Sequence, residues 1–140
     1  MNPMINAYRS NLASSAEYSS PHQLITMLLD GAMERIARAI GHIERQEVAS
    51  KGECIGRAAG IVDYLLSSLD TEADEGRVSS NLASLYEYML RRLTEANLRN
   101  DTAVLEEIRQ LLGGLRDAWS AIPPEQLDPA RRGTRRLVES

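Results

Sequence analysis

The sequence is short of the residues that most protein chemistry requires. Cysteine occurs once, at Cys54, and histidine twice, at His22 and His42. A single cysteine excludes an internal disulfide and a multi-cysteine metal site. Next to the apolar Ile55, it reads as a small buried filler rather than a reactive thiol. No apolar run approaches the roughly 20 residues needed to span a bilayer. The opening "MNPMINAYRS" also lacks the basic-then-apolar build of a signal peptide. These absences lead us to expect a cytoplasmic protein with no stable membrane insertion.

Catalytic signatures are missing as well. There is no H-E-x-x-H, no G-x-x-x-x-G-K-[ST], no glycine-rich dinucleotide turn and no serine elbow. A helical bundle can host a di-metal carboxylate centre, but that chemistry needs Glu-x-x-His pairs directed inward. At that spacing His22 and His42 are preceded by Ser19 and Ala39. A phosphotransfer bundle needs only one exposed histidine, but "HIERQE" after His42 offers no lysine or glycine to steady a phosphoryl group. His42 therefore reads as an ordinary surface histidine. The expectation is a protein that binds rather than catalyses, with no cofactor and no metal.

The net charge of -4, with basic side chains that are almost all arginine, gives no sign of nucleic-acid binding by the body of the chain. Four of the arginines crowd into "RRGTRR", Arg131 to Arg136, after the prolines Pro123 and Pro124. A solvated, mobile tail is the simpler reading, and an acidic partner or membrane surface the alternative.

What the 140 residues do contain is helical periodicity. With 43% apolar and 26% charged residues the chain suits one domain with a real core. A polar leader, residues 1–19, precedes four helical segments, and residues 123–140 follow them as the tail. In "SPHQ", Ser20 is placed as an N-cap, Pro21 at the first helical position and Gln23 three residues past the cap. The first helix is expected from Pro21 to about Gln46, the second from Lys51 to Leu69, and the third from Arg77 to Leu98. Asp101 caps a fourth that ends near Ile122, before the proline pair. No segment alternates with period two, so no sheet is expected. Short connections favour antiparallel neighbours. The expected fold is thus all-α: an antiparallel up-and-down four-helix bundle, residues 20–122, flanked by a flexible leader and tail.

"NLASLYEYMLRRLTEAN", Asn81 to Asn97, shows how the faces divide. Tyr86 and Tyr88 stand about 200° apart on a helix, so they cannot share one seam. Leu82, Leu85, Tyr86, Met89, Leu90, Leu93 and Ala96 fall on one arc, and Tyr88, Arg91, Arg92 and Glu95 outside it. Asn97 lies within the apolar arc, where its amide needs partners. On the second helix Tyr64 projects away from the main apolar face. The stripes are wide, as any globular four-helix core would want, or else as a docking surface for partner helices would require. Gly113 and Gly114 inside the fourth helix imply local softness or a close approach by another backbone.

These residues carry a family resemblance. "NLASLYEYMLRRLTEAN", "SPHQLITMLLDGAMERI" (Ser20 to Ile36) and "LRDAW" (Leu115 to Trp119) closely resemble the flagellar secretion chaperone family FliS, over most of residues 5–122. The leader "INAYRSN" is similar to that family's amino-terminal segment. The resemblance implies a cytoplasmic helical bundle that binds the carboxy-terminal part of flagellin, prevents premature polymerisation and presents the client to export gate components. It also implies that Ile5 and Tyr8 form a displaceable cover. Leu82, Tyr86, Met89 and Leu93 would shape or support a groove, with Tyr64 and Asn97 as further candidates. A helical adaptor or regulatory module for another secretion protein is the alternative, and pairing of two copies as a homodimer stays open. The chain departs from the family pattern at Leu29, where a tyrosine is frequent, at the Gly113–Gly114 pair, and in the basic tail.

Overall fold

The computed structural model describes residues 20–69 and 77–122. Four helices make up the described residues: α1 (Pro21–Glu44), α2 (Val48–Ser67), α3 (Arg77–Arg99) and α4 (Thr102–Ser120). Helix α1 packs on α2 and α4, and α3 packs on the same two, so the four adjacent pairings close a ring. This is the expected four-helix bundle. The expected leader and tail lie outside the described residues, as does the acidic linker between α2 and α3.

The helix ends follow from local chemistry. Ser20 Oγ accepts from the Gln23 amide at 3.1 Å and the Gln23 side chain accepts from the Ser20 amide at 3.0 Å, the reciprocal box that opens α1. At the other end Gln46 takes a left-handed φ of 61°, which reverses the chain and ends α1 two residues before the expected boundary. Helix α2 then starts at Val48, three residues early. Its N-cap, Glu47, makes no capping bond, because its carboxylate is held by His42 Nδ1 and Arg45 Nε, each at 2.8 Å. Helix α2 closes where the Ser67 and Ser68 hydroxyls both donate to the Tyr64 carbonyl, at 3.0 and 2.7 Å. Asn100, with φ 53°, turns the chain from α3 into α4, and Asp101 Oδ1 accepts from the Val104 amide at 3.2 Å.

The core is built from i, i+3/i+4 positions of all four helices. Leu28, Ile36, Ile61, Val62, Met89, Leu93, Leu105, Ile108 and Leu112 are essentially sealed from water. Leu29, the departure from the family pattern, is 2% exposed and so fills the core as an ordinary aliphatic. Cys54 is buried, as its apolar setting implied. The width of the α1 stripe has a plain cause: α1 lies between two neighbours and must bury two flanks. At Gly113, a Cβ would lie 3.3 Å from the Met33 methyl, so what comes close is a side chain of α1 rather than a second backbone.

Candidate partner-binding surface

The two ends of the bundle are built differently. At one end, where α1 turns into α2 and α3 into α4, the sole lysine is 7% exposed. Lys51 reaches across from α2 to donate to the Asn97 carbonyl at 2.9 Å and to Asn100 Oδ1 at 2.7 Å. The ammonium thus meets the carbonyl end of α3, where the helix dipole favours positive charge. A depression of about 420 Å³ lies beside it, lined by His42, Ile43, Gln46, Glu47, Val48, Lys51 and Asn100. In its rim the hydrogen bond from His42, and then that from Arg45, holds the Glu47 carboxyl below its ordinary value.

The opposite end carries more half-buried apolar side chains, whereas the exposed Val48 and Leu98 lie at the Lys51 end. It brings together the start of α1, the end of α2, the start of α3 and the end of α4. Leu24 and Ile25 of α1, Tyr64 and Leu66 of α2, Leu82 and Leu85 of α3, and Leu115 and Trp119 of α4 are all half-buried against the core there. Trp119 and His22 stack with ring centroids 5.4 Å apart and pin α4 to α1. Half-buried apolar side chains offer surface to a partner without unravelling the core, which sealed ones cannot do.

Against this frame the candidate residues separate by depth. Tyr86, Met89 and Leu93 are 6%, 0% and 1% exposed and belong to the core. Burial pushes the Tyr86 phenol above its ordinary value. Leu82 and Tyr64 are half-buried at the apolar end, and Asn97 is half-buried at the Lys51 end, with its main-chain carbonyl taken by that lysine. The structure therefore does not gather the set into one patch. Ile5 and Tyr8 lie outside the described residues. Leu66 of α2 and Leu24 and Ile25 of α1 share the apolar end and were not among the candidates. Their signal was their place at the flanks of the apolar arcs.

Tyr88, on the polar side of α3, is half-buried and makes a cross-helix contact. Its hydroxyl donates to Glu107 Oε2 at 2.8 Å, and the Arg92 guanidinium lies 6.0 Å from its ring centre. Arg92 also pairs with Glu95 on the same helix. These contacts lace the outer α3/α4 seam with polar groups. Among the described residues no group of three or more His, Cys, Asp or Glu could hold a metal ion. No described helix is long and apolar enough to cross a membrane.

The geometry is thus a sealed four-helix core with an apolar rim at one end and a polar lace along one seam. The family profile described as Flagellar protein FliS matches residues 4–126, which takes in all four helices. The chain belongs to the FliS family. It is 45% identical over 123 residues to the flagellar secretion chaperone FliS of Salmonella typhimurium, covering 86% of this chain and 90% of that one. It is 39% identical over 122 residues to the flagellar secretion chaperone FliSB of Pseudomonas aeruginosa, covering 87% and 96%. With FliS of Bacillus subtilis it shares 32% identity over 124 residues, covering 88% and 91%. Membership in the FliS family thus extends over the whole described bundle and agrees with its all-α architecture.

Proposed function

We propose that this FliS-family chain is a cytoplasmic, non-enzymatic export chaperone. It binds the carboxy-terminal helical region of newly made flagellin, keeps the subunit from polymerising and aids its delivery to the flagellar secretion system. The observation that carries this reading is the family match over residues 4–126 to relatives named as flagellar secretion chaperones.

The physical logic supports it. A polymerising segment is amphipathic, and its apolar face must be covered by another apolar surface while it forms helices. Ordering such a segment consumes part of the binding free energy, so a broad surface serves better than one pocket. The half-buried residues at the start of α1, the end of α2 and the start of α3, Leu82 and Tyr64 among them, supply breadth. Tyr86, Met89 and Leu93 belong to the core that holds α3 in place. Residue 20 lies at this same end, and the reading includes a cover formed by Ile5 and Tyr8 of the leader that the client displaces.

The test is binding of purified protein to intact flagellin and to flagellin lacking its carboxy-terminal segment, read by calorimetry and by size-exclusion chromatography with mass measurement. A stable complex with the intact subunit, lost on truncation, is expected. Equal affinity for both forms overturns the proposed mode. Recovery of another secretion protein with flagellin ignored would establish the adaptor reading instead.

A further inference from the structure

Helix α4 is continuous from Thr102 to Ser120, but its burial is not. Its buried side chains, Val104, Leu105, Ile108 and Leu112, all precede Gly113. Beyond Gly114 the apolar Leu115 and Trp119 are only half-buried. Besides the Trp119–His22 ring stack and the partial burial of Leu115 and Trp119, polar contacts fasten this last stretch to α1. Arg116 Nε donates to Asp30 Oδ1 at 3.0 Å, and the Trp119 indole N–H donates to the His22 carbonyl at 2.9 Å. In return His22 Nε2 lies 2.9 Å from the Trp119 carbonyl.

The two glycines between these halves have different surroundings. At Gly113 a side chain would press on Met33 at 3.3 Å, which is a packing reason for its absence. At Gly114 nothing lies within 4 Å of where a Cβ would be, so packing gives no reason for glycine there. Each glycine lowers helix stability by about 1 kcal/mol against alanine. Adjacent to each other, and at the boundary between sealed and half-sealed packing, they mark where the helix gives way most easily.

We propose that α4 is jointed at Gly113–Gly114, so that residues 115–120 swing off α1 as a unit while residues 102–112 stay in the core. The contacts Trp119–His22, Arg116–Asp30 and Gly113–Met33 show that this stretch lies over α1 from His22 to Met33. Its release uncovers the side of α1 that carries His22, Leu29 and Met33, which share one row of the helix. The hydrogen bonds and the exposed ion pair are replaced by water at small net cost, so what holds the stretch closed is the partial burial of Leu115 and Trp119 and the ring stack on His22. The joint is a property of the free chain and stands apart from the identity of any client.

Amide exchange followed by NMR on the full chain tests it. The expected result is a step in protection at the glycine pair, with amides 115–120 exchanging at least about ten-fold faster than 104–112. Gly114→Ala, which meets no clash, should slow exchange in 115–120 about five-fold and leave 104–112 unchanged. Trp119→Phe, which keeps a ring but loses the indole donor, should speed it about five-fold. Equal protection of the two halves overturns the joint. So does a graded loss from Ser120 inward without a step, or a step that does not respond to Gly114→Ala.

Discussion

The Lys51 ammonium is tied to Asn100 at 2.7 Å, so the start of α2 holds the turn that reverses the chain from α3 into α4. The same group serves the Asn97 carbonyl; the lysine is only 7% exposed, and both contacts are partly buried. Lys51→Met keeps the aliphatic stem and removes the donor, leaving a partly buried carbonyl and amide oxygen short of a partner. A loss of about 1–3 kcal/mol is expected. Urea unfolding should show a lower midpoint at unchanged slope, because the surface exposed on unfolding is the same. An unchanged midpoint would mean that water substitutes fully for the ammonium.

The charge cluster beside that turn predicts a pH dependence. The Glu47 carboxyl is held below its ordinary value by His42 and Arg45, so its ionised form is favoured by folding. A depressed carboxylate contributes stability at pH values above its unfolded pKa and loses it as pH falls through the folded value. Glu47→Gln should therefore lower the melting temperature slightly at neutral pH. The gap to the parent chain should narrow below about pH 4.5. A gap that is constant down to acid conditions would assign the effect to something other than ionisation.

Substitutions at Tyr86 and Tyr88 should destabilise to very different degrees. Tyr86 is 6% exposed, and Tyr86→Ala should cost about 3–5 kcal/mol through the cavity it leaves. Tyr88→Phe removes only the partly exposed hydroxyl contact to Glu107 and should cost at most about 1 kcal/mol. Chemical denaturation of the two variants measures both directly.

This pair also shows what could be read from the sequence and what could not. Helical phase alone put Tyr86 on the apolar arc and Tyr88 off it; periodicity together with caps and prolines located the four helices, and the short connections gave their antiparallel order. Phase carries no information about depth. Leu82, Met89 and Leu93 share one arc, yet Leu82 is half-buried while the other two are sealed, because depth depends on which helices lie opposite. That is why the candidate partner-binding set mixed core with rim. The α1–α2 turn was misplaced for a local reason. Gln46 occupies the left-handed position where glycine is usual, and Glu47 starts α2 without capping it, so neither residue carried the usual punctuation.

Depth gives a way to separate binding from folding. Leu93→Ala should cost about 2–5 kcal/mol of stability, whereas truncating the half-buried Leu82 should cost about 1 kcal/mol. If Leu82 contacts the client, Leu82→Ala should weaken flagellin binding at least about ten-fold at temperatures where the variant is fully folded. Calorimetric titration paired with circular dichroism checks both quantities. Binding that tracks only the loss of stability would remove Leu82 from the surface.

The leader provides the complementary experiment. The described chain begins at Ser20, at the end of the bundle that carries the half-buried apolar rim. If Ile5 and Tyr8 cover that rim in the free protein, a client must displace them, and part of its binding free energy is spent on doing so. Deleting residues 1–16 should leave helix content and the cooperative unfolding transition in place. Flagellin affinity should rise severalfold, and an apolar dye should bind the free protein more strongly. A variant in which only Ile5 and Tyr8 are changed to serine should reproduce both effects, which ties them to these side chains rather than to chain length. Unchanged affinity together with unchanged dye binding would mean that the rim is already open to the client.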